Sequence, residues 1–248
     1  YTNRAYTKYY LKDYKGAIED QTKAIELDSK DVFAYSNRGE TKNKLEDYKG
    51  AIEDFNKAIE LDPDFAIAYT GRGNSKHALE NYYEAITDYR KAIEINPDYK
   101  YAYMYSADSK YELGDYRRAI EDYTKAIEID PEYEDAIRGR AYTKNKLKDY
   151  YSVISDYNKL IEINPEESNY YNGLCRAKYA LEQYKRALPD CNKALSINSN
   201  DGNIYNNRGD VKFALGDKKL GYYKNWRTDE KLWEEEILPE LEKVLNDK

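Results

Sequence analysis

The feature that most constrains this chain is its periodicity. The stretch from Tyr48 to Pro63 recurs as Tyr82 to Pro97 and as Tyr116 to Pro131, in worn form as Tyr150 to Pro165 and Tyr184 to Ser199, and upstream as Tyr14 to Ser29. Each copy begins 34 residues after the last, with no insertion or deletion. A leucine column keeps the same step through Leu11, Leu45, Leu79, Leu113, Leu147, Leu181 and Leu215. The 248 residues therefore hold about seven units. A fixed period of this length describes a row of equivalent supersecondary units, each burying its apolar face against its neighbours.

The apolar residues of the second half of a unit, such as Ala51, Ile52, Phe55, Ala58 and Ile59, follow helical spacing and predict an amphipathic helix. Asp47, Asn81, Asp115 and Asp149 stand just before it, where a short polar side chain caps free N–H groups. Pro63, Pro97, Pro131 and Pro165 stand just past it and stop it. The first half repeats Tyr35, Gly39, Lys42 and Leu45 at three- and four-residue steps, which predicts a second helix. Each unit is a helix hairpin.

An aromatic early in the first helix (Tyr35, Tyr69, Tyr103), a small residue four on (Gly39, Gly73, Ala107), and the set Tyr48, Ala51, Phe55, Ala58 and Pro63 resemble the tetratricopeptide repeat family over nearly the whole chain. The resemblance implies an all-α, right-handed α-solenoid of about seven helix-turn-helix repeats. It also implies a concave groove, lined by the first helices, that binds a peptide or a partner protein. Residues 1–227 are expected to form the solenoid, with a truncated first repeat and a degenerate seventh, and residues 228–248 a C-terminal capping helix bent at Pro239. Tyr1 falls in the column of Tyr35 and Tyr69 with no initiator Met before it, so a fragment or processed chain is expected. Pro189 falls inside the second helix of repeat six and predicts a kink.

Composition narrows the chemistry. A single His (His77) and two Cys leave no basis for a two-imidazole catalytic site, a multi-histidine metal site or a four-thiolate zinc site. A net charge of -7 argues against a nucleic-acid or anionic-membrane binder, and no apolar run is long enough to span a bilayer. No glycine-rich phosphate loop occurs. Lys8, Lys42, Lys76, Lys110, Lys144, Lys178 and Lys212 recur in the first helices, and Asp20, Asp54, Asp88, Asp122, Asp156 and Asp190 in the second. Arg4, Arg38, Arg72, Arg140 and Arg208 precede their lysines by four residues. Catalytic sets do not recur at every turn of a repeat array, so these read as interhelical ion pairs. No catalytic residue, cofactor or metal is expected, and the chain reads as a non-enzyme. Cys175 and Cys191 fall at facing positions of repeat six and read as buried free thiols, with a disulfide as the alternative. The compartment is not legible, with the cytoplasm slightly favoured, and the Lys, Asn, Ile and Tyr bias fits an AT-rich, bacterial genome.

If the family geometry holds, the inward residues of each first helix vary while the framework columns do not. Most of the 30 tyrosines are framework, but Tyr6, Tyr9, Tyr10, Tyr101, Tyr111, Tyr142 and Tyr179 point by phase into the groove. The expected peptide-binding set is Tyr101, Asp108, Tyr111, Arg138, Tyr142, Asn145, Lys146, Asn172, Arg176 and Tyr179, with the two arginines holding an acidic group of the ligand. The Lys and Asn clamp by which some family members hold chaperone tails is not reproduced. Two further readings stay open: the recognition arm of a larger polypeptide with an enzymatic domain upstream of residue 1, and a self-assembling scaffold.

Overall fold

A computed structural model describes residues 1–216 and places thirteen α-helices there, with no strand among the described residues. They are α1 (Thr2–Tyr10), α2 (Tyr14–Leu27), α3 (Val32–Lys44), α4 (Tyr48–Leu61), α5 (Ala66–Ala78), α6 (Tyr82–Ile95), α7 (Lys100–Glu112), α8 (Tyr116–Ile129), α9 (Glu134–Lys146), α10 (Tyr150–Ile163), α11 (Ser168–Ala180), α12 (Tyr184–Ile197) and α13 (Gly202–Ala214). The chain divides into two compact units, residues 1–147 with α1 to α9 and residues 148–248, of which α10 to α13 are described. Within each unit consecutive helices pack in sequence, and the first helices of adjacent hairpins also touch, α3 on α5, α5 on α7, α7 on α9, and α11 on α13. The helix expected over 228–248 and the loss of pattern at Lys218 lie outside the described residues.

The boundaries follow local chemistry. The carboxylates of Asp13, Asp47, Asp115 and Asp149 accept the N–H of the residue three on, capping α2, α4, α8 and α10. Asn81, expected to act in the same way, makes no side-chain cap to α6. Asp62 sits in extended backbone before Pro63, as the proline ring demands, and ends α4. The tight turn after each first helix needs one left-handed residue. Gly114 and Gly216 supply it without strain, but Lys12, Glu46, Glu80, Lys148 and Glu182 hold φ between 58° and 62° at the same repeat position. Pro189 does not break α12, which keeps the 14-residue span of the other second helices. The ring forfeits one bond, to the Lys185 carbonyl, and the rest of the helix continues around it.

Alanines let the helices approach closely: Ala51, Ala58, Ala85, Ala92, Ala119 and Ala126 are fully buried. One aromatic in each of the second to fifth hairpins fills the remaining space, Phe55, Tyr89, Tyr123 and Tyr157 in turn, and burying such a ring contributes on the order of 2 kcal/mol. The expected interhelical ion pairs form. Asp54 accepts from Arg38 at 2.6 and 2.9 Å and lies 2.7 Å from Lys42; Asp88 takes the same bonds from Arg72 and Lys76. The arginine also reaches the preceding hairpin, Arg38 to Thr22 Oγ1 at 3.1 Å and Arg72 to Asn56 Oδ1 at 2.7 Å, so its fork stitches neighbouring repeats. Its other side lies over the tyrosine three residues earlier, 5.7 Å from the Tyr35 ring and 5.4 Å from the Tyr69 ring. In repeat four Ser106 stands in place of the arginine and donates to Asp122 at 2.6 Å.

Cys175 and Cys191 depart from the expected free thiols. Both are fully buried, their Cα atoms are 5.3 Å apart across α11 and α12, and they are joined as a disulfide. That separation is ordinary for such a bridge.

Candidate functional site

In the first unit, α5, α7, α8 and α9 bound an open cleft of about 510 Å³. Its walls include His77 of α5, Met104, Asp108, Tyr111 and Glu112 of α7, Tyr123 of α8, and Asp135, Arg138 and Tyr142 of α9. The cleft therefore brings together four of the expected residues, Asp108, Tyr111, Arg138 and Tyr142. Three others lie outside its lining. Tyr101 packs edge-on against Tyr99 and Tyr133, with ring centroids 5.7 Å apart in both cases. The Lys100 ammonium lies over both the Tyr101 and Tyr133 rings, 5.2 and 4.7 Å from their centres, and bonds Asp130 at 2.5 Å. Asn145 is exposed, and Lys146 extends over Tyr111, 6.0 Å from the ring centre.

The electrostatics of the cleft differ from the expectation of a free arginine. The Arg138 guanidinium donates to the carboxylate of Asp135, one helical turn earlier on α9. Asp135 was not among the expected site residues, although its position three before Arg138 is the helical ion-pair spacing. With Asp108 and Glu112 on the facing helix, three carboxylates meet one guanidinium and one imidazole. Asp108 accepts a bond from the Tyr123 hydroxyl at 2.5 Å. Burial holds the Asp108 carboxyl above the ordinary carboxylate range, against the pull of the Tyr123 bond and His77. Burial and the Asp108 charge push the Tyr123 hydroxyl well above its ordinary value, so it stays protonated and acts as a donor.

Among the described residues, His77 and Ser109 form the one contact with a catalytic look, Nδ1 to Oγ at 2.8 Å. Ser109 is fully buried, and one repeat earlier Ser75 donates to Asn43 Oδ1 at 2.7 Å from the same two positions. The bond is a framework contact in which His replaces Asn. Among the described residues, no group of three or more His, Cys, Asp or Glu is placed to hold a metal, and no helix is long and apolar enough to cross a membrane.

In the second unit the remaining expected residues share α11. Asn172 accepts from the Asn207 amide of α13 at 2.8 Å. Tyr179 packs against the Cys175–Cys191 cluster and lies 5.4 Å from the Tyr184 ring. Arg176 is exposed and has no ion pair or hydrogen bond among the described residues.

Known proteins agree on what this arrangement is. Family models described as tetratricopeptide repeat match residues 1–31, 32–65 and 66–99, and one described as TPR repeat matches 107–148. No curated protein matches the chain. Among solved structures, the chain is similar to YrrB, described as a TPR protein with an unusual peptide-binding site, at 22% identity and a TM-score of 0.64 over 76% of this chain and 97% of that one. It is similar to MamA at 21% identity and a TM-score of 0.62, over 68% of this chain and 92% of that one. A tetratricopeptide repeat protein from Parabacteroides merdae ATCC 43184 aligns with 98% of this chain and 96% of its own, at 20% identity and a TM-score of 0.65. At these identities the likeness is one of fold. The repeat matches, three of which coincide with the hairpins α1–α2, α3–α4 and α5–α6, place the chain in the tetratricopeptide repeat family.

Proposed function

We propose that the protein is a non-enzymatic scaffold that binds a peptide or protein segment on the variable faces of its first helices. One observation carries this. Framework positions repeat every 34 residues, whereas Met104, Asp108, Tyr111, Arg138 and Tyr142 line an open cleft and change from repeat to repeat. Exposed aromatics on a rigid scaffold are the residue type that supplies most binding energy at protein interfaces. The likeness to YrrB, whose description names a peptide-binding site, supports the same reading.

The two arginines take different parts. Arg138 is already paired with Asp135, so the cleft of the first unit favours a ligand segment that brings amide or other donor groups. Arg176 is the better holder of an acidic group, with the Asn172 side chain four residues before it on the same helix.

Peptides selected from a random display library on the intact protein test this. Peptides carrying an Asp or Glu anchor are expected to lose about tenfold or more in affinity to Arg176→Ala, and those with an aromatic anchor a similar amount to Tyr111→Ala with Tyr142→Ala. Arg138→Ala is expected to change binding by no more than about threefold, and helicity stays the same in all variants. Undiminished binding to a combined Arg138→Ala, Arg176→Ala, Tyr142→Ala variant would remove these faces as the binding site.

A further inference from the structure

The aromatic column of the second helices is broken once at the start of the chain. Where α4, α6, α8 and α10 carry Phe55, Tyr89, Tyr123 and Tyr157, α2 carries Gln21. An amide does not fill the volume of a ring, and a cavity of about 340 Å³ opens between α1, α2 and α3. Tyr6, Tyr9 and Tyr10 form one wall, and Gln21, Glu40 and Thr41 the other.

The hydrogen bonds fix which end of the Gln21 amide is left unpaired. Thr41 gives its hydroxyl proton to the Asn37 carbonyl at 2.8 Å, so its oxygen is left to accept, and Gln21 Nε2 donates to it at 2.9 Å. The amide oxygen, Oε1, is left without that partner. Gln21 is only 5% exposed, and Oε1 is the one buried side-chain polar atom without a partner among the described residues. An acceptor buried without a donor is a standing cost, which a ligand bringing a donor removes.

The rest of the pocket has the same polarity. The Glu40 carboxylate lines it with the Tyr9 hydroxyl beside it. Burial raises Glu40 above the ordinary carboxylate range, while Lys44, 3.7 Å away on its own helix, together with Asn43 and Tyr9, pulls the other way. Burial, with Glu40 nearby, pushes the Tyr9 hydroxyl up to about 12, so it remains protonated beside the carboxylate. Among the described residues no basic side chain lines the space. The Tyr6 and Tyr10 rings pack at a tilt with centroids 4.6 Å apart and are more than half exposed, which leaves the aromatic wall open at its mouth. An anion would be repelled by the Glu40 carboxylate, whose one cationic neighbour among the described residues is Lys44 on its own helix, and an apolar group would leave Gln21 Oε1 without a donor. A cation on an aliphatic stem satisfies both acceptors and lies against ring faces.

We infer that the pocket between α1, α2 and α3 is a binding site for a basic side chain, a guanidinium or ammonium on an aliphatic stem, with Gln21 Oε1 and Glu40 as acceptors and Tyr6, Tyr9 and Tyr10 as the wall. The site does not depend on the faces of α7, α9 and α11, because its ligand is a single side chain. The probe is N-acetyl-argininamide, titrated into the intact protein and followed by backbone and side-chain amide shifts. N-acetyl-lysinamide and N-acetyl-norleucinamide are run alongside. Saturable shifts are expected for the two basic probes at Gln21, Asn37, Thr41 and along α1, with affinity at least about tenfold weaker for the norleucine probe. Gln21→Phe restores the ring of the other repeats. It is expected to fill the pocket and abolish the shifts while leaving helicity and melting temperature the same or higher. Glu40→Gln keeps an acceptor but removes the charge, and is expected to weaken the basic probes about tenfold and flatten their salt dependence. Equal binding of the norleucine probe, intact binding in Gln21→Phe, or intact binding in Glu40→Gln would each overturn the assignment.

Discussion

The aromatic that fills each hairpin is also what binds neighbouring hairpins together, and Gly71→Ala measures that directly. Phe55 is 1% exposed, and a Cβ added at Gly71, on the first helix of the next repeat, would lie 2.4 Å from its Cε1 and Cζ atoms. Real contacts do not come that close, so something must move. The ring cannot retreat far, because a Cβ at Gly39 on its own hairpin would already stand 3.0 to 3.1 Å from it. Alanine in the middle of α5 gains about 1 kcal/mol of helix propensity, and overpacking a filled site costs about 1–3 kcal/mol. An overlap to 2.4 Å puts the cost in the upper part of that range, about 2–3 kcal/mol, so the net expectation is a loss of about 1–2 kcal/mol, or roughly 2–8 °C in melting temperature for a chain of this size. Gly202→Ala, at the exposed start of α13 with nothing within 4 Å among the described residues, should be neutral to slightly stabilising. Urea unfolding gives the totals, and amide exchange in α4 and α5 shows whether the loss sits at that junction. Phe55→Leu in the Gly71→Ala background should recover part of it, with a coupling of about 1 kcal/mol in the double-mutant cycle. A Gly71→Ala protein as stable as the parent would refute the idea that the ring locks the repeats.

Two further outcomes follow from the same geometry. Asp108→Asn keeps an acceptor for the Tyr123 hydroxyl, as Asn74 already does for Tyr89 at 2.9 Å one repeat earlier, and removes a charge that burial disfavours. Because the folded pKa of Asp108 lies above its ordinary value of 3.8, the folded state binds the proton more tightly, and the parent loses stability as pH rises from that value through the folded pKa. His77 opposes this penalty, while Asp135 and Glu112 add to it. The variant should be more stable at pH 7, with the difference vanishing below pH ~4, near the ordinary carboxylate pKa, in thermal melts; a less stable variant at pH 7 would mean the carboxylate is held by attraction instead. The Cys175–Cys191 bridge closes a loop of 16 residues, for which chain entropy gives about 3 kcal/mol, so reduction should loosen α11 and α12 first. Denatured protein should take up no thiol reagent until a reductant is added, and immediate labelling of two thiols would show that the bridge is absent.

Helix bounds, caps and the Arg, Lys and Asp columns were legible in the sequence because each is set within one repeat and its neighbour and is then copied. Phase alone shows that Arg38 and Asp54 belong to facing helices, and the 2.6 Å bond follows. The variable face was less legible, because its residues choose among partners that periodicity does not rank. Tyr101 has the inward phase, yet it is captured by Tyr99, Tyr133 and Lys100, a contest decided by the shape of the next hairpin. Arg138 has the phase of a ligand holder, and its fork is taken by a neighbour on its own helix. Asn81 has the residue type of a cap and the right position, but its side chain does not make the bond.

A strictly periodic chain carries the same information at every repeat, so whatever distinguishes one ligand from another must sit where the period fails. The failures are of two kinds. On the first helices they change the side chains that face the solvent and leave the packing intact, which makes a surface with different chemistry at each step. In the second helices they alter the filling itself. Exchange of a column ring for Cys191 is absorbed, because Cys175 faces it and the pair closes the space as a fully buried bridge. Exchange for Gln21 is not absorbed: the cavity stays open, and the amide, bound through its nitrogen to Thr41, leaves its oxygen unpaired. A framework position tolerates a polar residue of this kind at a cost in stability, since filling the pocket with a ring would both bury more apolar surface and remove an unpaired acceptor. The same substitution, Gln21→Phe, is therefore expected to raise stability and to remove binding. That opposition of sign separates a built site from a defect in the repeat, because a mere defect would be cured by the ring with no function lost.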